Sequence, residues 1–210
     1  MSHSDTKIRI LDGAEQLFAR EGFHNTSLRA LTSQAEVNLA AVNYHFGSKE
    51  ALLQAVIERR LLPLNAIRAE KIETILTQAK QNLHLPSAED LLRAFIEPTL
   101  EFRSSSPGAQ DFINLIGRAL IDPDETIRNC FLQLVSPLIQ RLFQGLSEAL
   151  PHLAPEVLLA RLQFIMGSMS HVMCMGSHSA PPPGLAPSLE AKALTDQLLI
   201  FALAGLEAPE

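Results

Sequence analysis

Apolar residues recur along this chain with the spacing that places them on one face of a helix. The first stripe follows the i, i+1, i+4, i+7, i+8 rule for a buried helix face and consists of Ile10, Leu11, Ala14, Leu17 and Phe18. Gly22 follows the stripe, and glycine is the residue that most often ends a helix. Sustained alternation of apolar and polar residues, the pattern of a half-buried strand, is nearly absent. The pattern predicts an all-α fold with about nine helices.

Two short helices and the start of a longer one are predicted after Gly22. Thr26 or Ser27 caps the first of them. The apolar face of this helix consists of Leu28, Leu31 and Ala35. A break at residues 36–38 separates it from a short segment over Leu39–Phe46, and Ser48 then caps the next helix.

The rest of the chain is also predicted to be helical. Residues 177–187 include a run of consecutive prolines and are predicted to form a loop. Pro63, Pro98 and Pro137 fall inside helical patterns, and each is expected to bend or interrupt its helix. The later helices are predicted over 87–105, 109–120, 123–149, 155–176 and 188–207.

The composition is that of a globular protein with a sizeable core, since 47% of the 210 residues are hydrophobic and 19% are charged. No apolar run reaches the roughly 18 residues that a membrane span needs. The polar start of the chain lacks the apolar segment of a secretory signal. Cys130 and Cys174 stand apart rather than in a CxxC pair, as is common in reducing compartments. These features predict a cytoplasmic protein without a membrane partner.

Charge is distributed unevenly along the chain. Its net value is −6, but residues 1–60 carry seven basic and seven acidic side chains, whereas residues 61–210 carry ten and sixteen. An acidic protein is not drawn to nucleic acid by bulk attraction. Any DNA binding must therefore come from the local geometry of the N-terminal segment, with the remainder facing away.

A helix-turn-helix pattern occupies residues 26–52. Two short helices that cross steeply need a small core to hold them together. The apolar residues whose spacing suits such a core are Leu28, Leu31, Val37, Val42 and Phe46. Asn38 can cap the second helix, whose residues 39–45 would enter the major groove. Asn43 can form two hydrogen bonds with adenine N6 and N7, the alternative being a bond to a neighbouring phosphate.

Polar groups suited to phosphate flank this segment. Thr26 and Ser27 offer hydroxyls and backbone N–H groups at a helix start, and Tyr44 and His45 end the second helix with polar tips. Lys49 falls in the first turn of a helix, where a cation opposes the helix dipole by roughly 0.3–1 kcal/mol. Phosphate binding explains such a placement. The alternatives are a polar helix end at His45 and a solvated side chain at Lys49.

Residues 7–55 resemble the DNA-binding domain of the tetracycline-repressor (TetR) family. The likeness rests on the AxxLFxxxGF run that begins at Ala14, on TSLRALT from Thr26, and on NYHFGSKEAL from Asn43. It implies a bacterial DNA-binding domain over residues 1–52 and a helical regulatory and dimerisation domain over residues 53–210. The DNA contacts predicted on this basis, which include the capping Asn38, are Thr26, Ser27, Asn38, Leu39, Ala40, Ala41, Asn43, Tyr44, His45 and Lys49.

The chain departs from the family at two positions. Many members have glycine in the turn where this chain has Glu36, and a non-glycine residue at positive φ costs on the order of 1 kcal/mol. We therefore expect the turn to be built differently here. Many members have an aromatic residue in place of Asn43, so their operator sequences do not carry over. The sequence of residues 38–52 is most similar to that of a subgroup whose members respond to fatty acids or their CoA thioesters.

By the same resemblance, the second domain holds a ligand pocket and the chain forms a homodimer. The apolar candidates for the pocket wall are Phe95, Phe102, Phe112, Leu115, Ile116, Phe131 and Leu134. Two cations, Arg103 and Arg118, could bind an acidic group of the ligand or equally form surface ion pairs. The dimer interface is expected on the last two helices through Leu162, Ile165, Met166, Met169, Leu198, Leu199 and Phe201.

Together these features predict a ligand-responsive repressor that binds a palindromic DNA operator as a homodimer. A small apolar or amphipathic effector, such as a fatty acid, an acyl-CoA or a xenobiotic, is expected to release it. The fourth helix joins the two domains, and we expect Pro63 to kink it. A ligand that tilts this helix would change the distance between the two recognition helices, which must match about one DNA turn of 34 Å.

Other functions are less well supported by the sequence. His171, Cys174 and His178 share one helix face among methionines, as a Cu(I) site requires. Methionines at helical spacing are more often core residues, however, so neither a metal nor a cofactor is predicted. No GxSxG, HExxH or glycine-rich phosphate loop is present, so an enzyme is not expected. A structural adaptor dimer would leave Lys49 unexplained.

Overall fold

The computed structural model describes residues 3–102, 108–121, 125–174 and 189–209. These residues form α-helices and no strand, which confirms the predicted all-α fold. The predicted loop over residues 177–187 lies outside the described residues. In chain order the helices are α1 (His3–Glu21), α2 (Leu28–Gln34), α3 (Leu39–Phe46), α4 (Lys49–Gln81), α5 (Ala88–Phe102), α6 (Ala109–Ile121), α7 (Glu125–Ala149), α8 (Pro155–Cys174) and α9 (Ala191–Glu207).

Short polar side chains start several of these helices. Ser27 caps α2, since its hydroxyl accepts a hydrogen bond from the Ala30 amide at 3.0 Å. Ser48 does the same for α4 through the Ala51 amide at 3.0 Å. Such a side chain satisfies a backbone N–H that the first helical turn leaves without a partner. At the other end of α1, Gly22 takes the left-handed conformation with φ +83° that ends many helices.

Three helices continue through an internal proline. Pro63 lies inside α4, Pro98 inside α5 and Pro137 inside α7. None of these prolines interrupts its helix, so of the two predicted outcomes interruption is wrong at all three positions and bending stays a prediction. Each proline removes one backbone hydrogen bond, but burial continues on both sides of Pro63, at Leu61 and Leu64. Packing of the helix face outweighs the local defect.

The chain divides into two compact units. The first comprises residues 1–63 and 105–134, and the second comprises residues 64–104 and 135–210. In the first unit, α1 contacts α2, α3 and α6. In the second unit, α9 contacts both α5 and α8. Within the described residues, no helix is both long enough and apolar enough to cross a membrane.

The first unit buries a carboxylate that is bound by two half-buried arginines. Glu15, on α1, is 2% exposed and accepts hydrogen bonds from Arg59 and Arg60 of α4, the Arg60 Nε bond measuring 3.0 Å. Arg59 also binds the exposed Asp12 at 2.7 Å. Gly108 has φ +82°, and a Cβ atom there would stand 2.6 Å from Arg60 Nη2. Glycine at 108 therefore leaves room for the arginine.

Candidate nucleic-acid interface

The second and third helices form a helix-turn-helix on a small core. Leu31 of α2 and Val42 of α3 are 1% and 2% exposed, and Phe23, which precedes α2, is buried with them. Both helices contact α1, and they contact each other. The other predicted core residues, Leu28, Val37 and Phe46, are half-buried. Such a small core is enough to pack the two helices, because each is only about two turns long.

The turn between α2 and α3 retains the left-handed backbone that usually calls for glycine. Glu36 has φ +52°. The Glu36 amide donates to Ser33 O at 3.3 Å and the Val37 amide to Thr32 O at 3.0 Å, which is the Schellman pattern for ending a helix. The expectation of a differently built turn is therefore wrong. The geometry is maintained with a glutamate, at a strain of roughly 1–2 kcal/mol.

The face of α3 opposite Val42 is exposed. Leu39 is 49% exposed and Tyr44 75%, and Ala40 and Asn43 are exposed beside them. Ala41 is half-buried. Single exposed apolar side chains are common on protein surfaces. This face differs because Leu39, Ala40, Asn43 and Tyr44 share one side of α3 by their helical spacing. The small side chain at Ala40 lets the backbone approach a surface closely.

Capping fixes the start of α3. The Asn38 side-chain carbonyl accepts a hydrogen bond from the Ala41 amide at 2.8 Å, and the residue is exposed. Its amide nitrogen can then donate to a phosphate without loss of the cap. This arrangement fits both roles predicted for Asn38.

Thr26 does not fit its predicted role. Its side chain is fully buried, and its hydroxyl donates to Gly22 O at 2.8 Å. Its backbone amide donates to Phe23 O at 3.3 Å. With both donors engaged inside the protein, the prediction that Thr26 contacts phosphate is wrong. Thr26 instead holds the connection between α1 and α2, and the exposed Ser27 is the hydroxyl that remains at the surface.

Lys49 is held in place by an aromatic ring. It is half-buried, and its Nζ lies 4.4 Å from the centroid of the Phe23 ring. Desolvation by the surrounding protein lowers the pKa of Lys49, and the negative charge of Glu50 partly opposes this effect. A cation on a ring face is less well hydrated than one in open water, so its approach to an anion costs less. At the end of α3, the Tyr44 and His45 rings meet edge to face with centroids 5.2 Å apart.

The predicted ligand-binding residues do not form one described cavity. Phe95, Phe112, Leu115 and Ile116 are buried, whereas Phe102, Phe131 and Leu134 are half-buried. Phe95 and Phe102 belong to the second unit and the other five to the first. Arg103 and the side chain of Arg118 lie outside the described residues. None of the nine lines the groove of about 600 Å³ in the second unit, whose walls are Ile67, Glu70, Lys71, Thr74, Ile75, Gln78, Asp90, Arg93, Ala94 and Glu97.

The predicted dimer face is largely buried within the chain itself. Five of its residues are at most 6% exposed, so they pack inside their own protomer: Leu162, Ile165, Met169, Leu198 and Leu199. Met166 is half-buried, and Phe201 is 64% exposed. Sequence reasoning missed Phe164, which is 71% exposed on α8, and Ile200, 59% exposed on α9. Both helices are apolar on two sides, so periodicity alone could not tell the inner side from the outer.

The residues weighed as a metal site are only partly described. His171 is exposed near the end of α8, whereas the side chain of Cys174 and all of His178 lie outside the described residues. Among the described residues, no three His, Cys, Asp or Glu side chains group as metal ligands would.

Comparison with known proteins identifies the family. The model for "Bacterial regulatory proteins, tetR family" matches residues 10–56, and the model "Tetracyclin repressor-like, C-terminal domain" matches residues 93–205. The regulator UidR of Escherichia coli is 40% identical over 52 residues, which are 25% of this chain and 26% of UidR. RutR of the same species is 30% identical over 123 residues, which are 57% of this chain and 58% of RutR. The chain thus aligns with about a quarter to just over half of these relatives.

Solved structures share the fold along nearly the whole chain. A TetR-like regulator from Rhodococcus sp. RHA1 superimposes with a TM-score of 0.67 at 20% identity, and 97% of each chain is covered. The fatty acid degradation regulator FadR from Bacillus halodurans gives a TM-score of 0.64 at 15% identity, with the same coverage. One family model covers the helix-turn-helix and a second covers more than half of the chain, and the chain therefore belongs to the TetR family of bacterial transcriptional regulators, which bind DNA and are not enzymes.

Proposed function

We propose that the chain represses transcription as a homodimer in which the two α3 helices bind the half-sites of a palindromic operator. The observation that carries this proposal is the exposed face of α3, where Leu39, Ala40, Asn43 and Tyr44 share one side of a helix anchored by Val42. A short, firmly seated helix with a small-residued outer face suits the major groove. Because such a protein acts on the chromosome, its site of action is the bacterial cytoplasm.

Each exposed side chain then has a role on DNA. Asn43 reads an adenine through N6 and N7, and the Ala40 and Ala41 methyl groups contact thymine methyls. Ser27, Tyr44, His45 and Lys49 bind backbone phosphates, which fix the register of the helix without reading sequence. Lys49 contributes most to this phosphate binding, because its ammonium is already partly dehydrated above the Phe23 ring. In this division, residues 1–52 read DNA and residues 53–210 regulate and dimerise.

A second copy of the chain covers the apolar side of α8 and α9. Phe164 on α8 and Ile200 and Phe201 on α9 are each more than half exposed, and the two helices contact each other. Exposed apolar side chains on neighbouring helices favour an interaction site. A two-fold dimer pairs the same patch on both copies. Such a dimer presents two recognition helices to half-sites about one DNA turn, roughly 34 Å, apart.

A small apolar or amphipathic effector controls DNA affinity in this proposal. The B. subtilis FadR structure, which is 16% identical with a TM-score of 0.62, was solved in complex with stearoyl-CoA. The second unit of this chain also buries apolar side chains, among them Leu91, Phe95 and Ile96 of α5. The chain has one conformation whose recognition helices are spaced for DNA and another whose spacing is wrong. The effector can weaken DNA binding only by the difference between its binding free energies for these two conformations.

Selection from a randomised DNA pool tests the proposal. The full-length protein is purified, its mass in solution is measured, and bound sequences are enriched at about 100 mM salt, because phosphate-driven affinity is strongly salt-dependent. A dimeric mass and a palindrome with half-sites about one turn apart are expected. A protein purified with bound effector could hide its operator, so the selection is repeated after unfolding and refolding. Failure of enrichment in both preparations would overturn DNA reading in favour of a structural adaptor dimer.

A further inference from the structure

A buried arginine in the second unit has no acidic partner among the residues that the structure describes. Arg68, on α4, is 3% exposed. Its Nη1 donates to the Asn65 side-chain oxygen at 3.0 Å, and its Nη2 donates to the Thr99 hydroxyl. Its Cζ lies 4.6 Å from the centroid of the Phe95 ring. All three partners are neutral, so the guanidinium is fixed in position but its charge is not balanced by any described residue.

The guanidinium also retains a free hydrogen-bond donor. Arg68 Nε is buried, and no described residue accepts a hydrogen bond from it. Burial lowers the pKa of Arg68 to about 9, which leaves the side chain positively charged at neutral pH. A buried charge without an opposite charge is costly, and proteins usually retain one only where something binds to it. The Nε edge of an arginine is one of the two edges that accept a carboxylate through paired hydrogen bonds.

The surroundings of Arg68 are apolar. Leu64 and Ile72, one turn before and one turn after it on the same side of α4, are 5% and 0% exposed. Phe95, whose ring faces the guanidinium, is 1% exposed. Thr99 orients Arg68, because its hydroxyl donates to the Phe95 carbonyl at 2.9 Å and therefore turns its oxygen lone pairs towards the arginine. A ligand that reaches Arg68 thus meets one positive group among hydrocarbon side chains.

We propose that Arg68 binds the carboxylate of the effector, and that the effector is an apolar free acid. The inference rests on the proposed function, in that it assigns an effector to the regulatory unit and narrows its class. A carboxylate would accept hydrogen bonds from Nε and the adjacent Nη group, and its hydrocarbon part would pack on Phe95. A CoA thioester has no carboxylate at its acyl end, because its charges are the phosphates of a large polar head group, which an apolar site does not accommodate. A neutral xenobiotic has no charge at all and leaves the guanidinium unbalanced.

Binding of matched probes to the full-length protein tests this inference without DNA. Octanoate, decanoate, dodecanoate and hexadecanoate are each compared with the primary alcohol of equal length, and decanoate also with decanoyl-CoA, by calorimetry and thermal shift. For at least one length, the acid is expected to bind on the order of tenfold or more tightly than the alcohol, as charge-assisted hydrogen bonds do. In R68Q the acid and the alcohol are expected to bind within about twofold of each other. Equal binding of acid and alcohol to the wild type, or no binding of any acid, overturns the inference.

Variants and a control separate charge from folding. Arg93→Gln removes an arginine of the same unit that pairs with Glu89 and Glu97 at the surface, and it should keep the preference for the acid. If R68Q does not fold, Thr99→Val keeps the cation but removes its orienting contact and should reduce the preference severalfold. A wild-type preference in both R68Q and Thr99→Val overturns the role of Arg68. Operator selection on the same preparations keeps the two proposals distinct: acid binding without operator binding refutes only repression, and the converse refutes only this site.

Discussion

Each of the two compact units buries one charged side chain among its described residues, and the surroundings of the two charges differ. In the first unit Glu15 is 2% exposed and is bound by two arginines, one of which also binds Asp12. In the second unit Arg68 is 3% exposed and is bound only by neutral groups. Within the described parts of the chain, the first charge is balanced and the second is not.

Under the proposed function, this difference corresponds to a difference in what the units do. The unit that would present α3 to DNA must then hold one shape whether or not an effector is present, and an internally balanced cluster between α1 and α4 serves that need. A unit that responds to a ligand gains from an interaction that the ligand alone completes, because only a difference in binding free energy between two states shifts their populations. The following predictions test this difference between the units, beginning with the largest expected effect and its control in the other unit.

Glu15→Gln should cause the largest loss of stability. The substitution keeps the shape of the side chain but leaves Arg59 and Arg60 without their buried counter-charge, and loss of one partner from a buried ion cluster costs about 3–5 kcal/mol. Urea unfolding followed by circular dichroism measures the free energy of unfolding. A loss below about 1 kcal/mol would show that the cluster is no more important than a surface pair.

Glu73→Gln is the matched control in the second unit. Glu73 pairs with Arg141 at 2.5 Å on the surface, and its side chain is 52% exposed. The hydrogen bond from Arg141 lowers the pKa of Glu73, so its small contribution is present at neutral pH and is lost as the pH falls through the lowered pKa. Because solvent screens this pair, the expected loss at neutral pH is below about 1 kcal/mol.

Asn43→Ala tests the reading role of the first unit. Operator affinity should fall by about 1–3 kcal/mol and the preference at one base pair should relax, because two hydrogen bonds to adenine are removed. Fluorescence anisotropy with the selected operator and with single-base variants measures both effects. An equal loss on random DNA would instead assign Asn43 to a phosphate.

Lys49→Ala provides the contrast for Asn43→Ala. Loss of a phosphate contact should weaken all sequences alike and reduce the slope of log affinity against log salt by about one unit. An unchanged salt slope would show that the ammonium above Phe23 serves only the packing of the first unit.

Glu36→Gly should raise stability by roughly 0.5–1 kcal/mol. Glycine removes the strain of a side chain at φ +52°, which exceeds the extra entropy that glycine loses on folding. Leu83→Gly is the counterpart in the second unit, since Leu83 has φ +55° and is 95% exposed. Both gains can be read from thermal or urea unfolding. If only Leu83→Gly stabilises, the contact of 4.0 Å between Glu36 and Arg9 compensates the strain in the turn.

Arg68→Met should change stability least, by less than about 1 kcal/mol in either direction. The substitution removes contacts to Thr99, Asn65 and Phe95 but also removes an unbalanced buried charge, and these effects oppose each other. Urea unfolding without ligand is the measurement. A loss as large as that of Glu15→Gln would make Arg68 a structural element and remove the contrast between the units.

The helix-turn-helix could be predicted from sequence because its determinants are local. The caps at Ser27, Asn38 and Ser48 act within three residues of their own position, and the core of this motif is drawn from neighbouring segments. The prediction failed where a residue's surroundings come from elsewhere in the chain. Thr26 has the right chemistry for phosphate, but α1 supplies acceptors that bury it.

The faces of α8 and α9 show the same limit over a longer distance. Leu162 and Phe164 are both apolar and two positions apart, yet one is 2% exposed and the other 71%. Periodicity identifies a stripe of apolar residues, but the packing partner determines which of two stripes is buried. In this chain α9 contacts both α5 and α8, and this packing determines which apolar stripe is buried.

By itself the sequence determined the order of the described helices, the capping of α2, α3 and α4, and the residues that make up α3, because backbone hydrogen bonds and helical periodicity act over a few residues. Only the tertiary structure decided that the buried Glu15 has two arginine partners and that Arg68 has no acidic partner among the described residues. It also decided that Glu36 retains a glycine-like turn and that Phe164 rather than Leu162 faces outward. Each of these depends on groups distant in sequence, or on whether packing outweighs local strain, and neither can be read from a single segment.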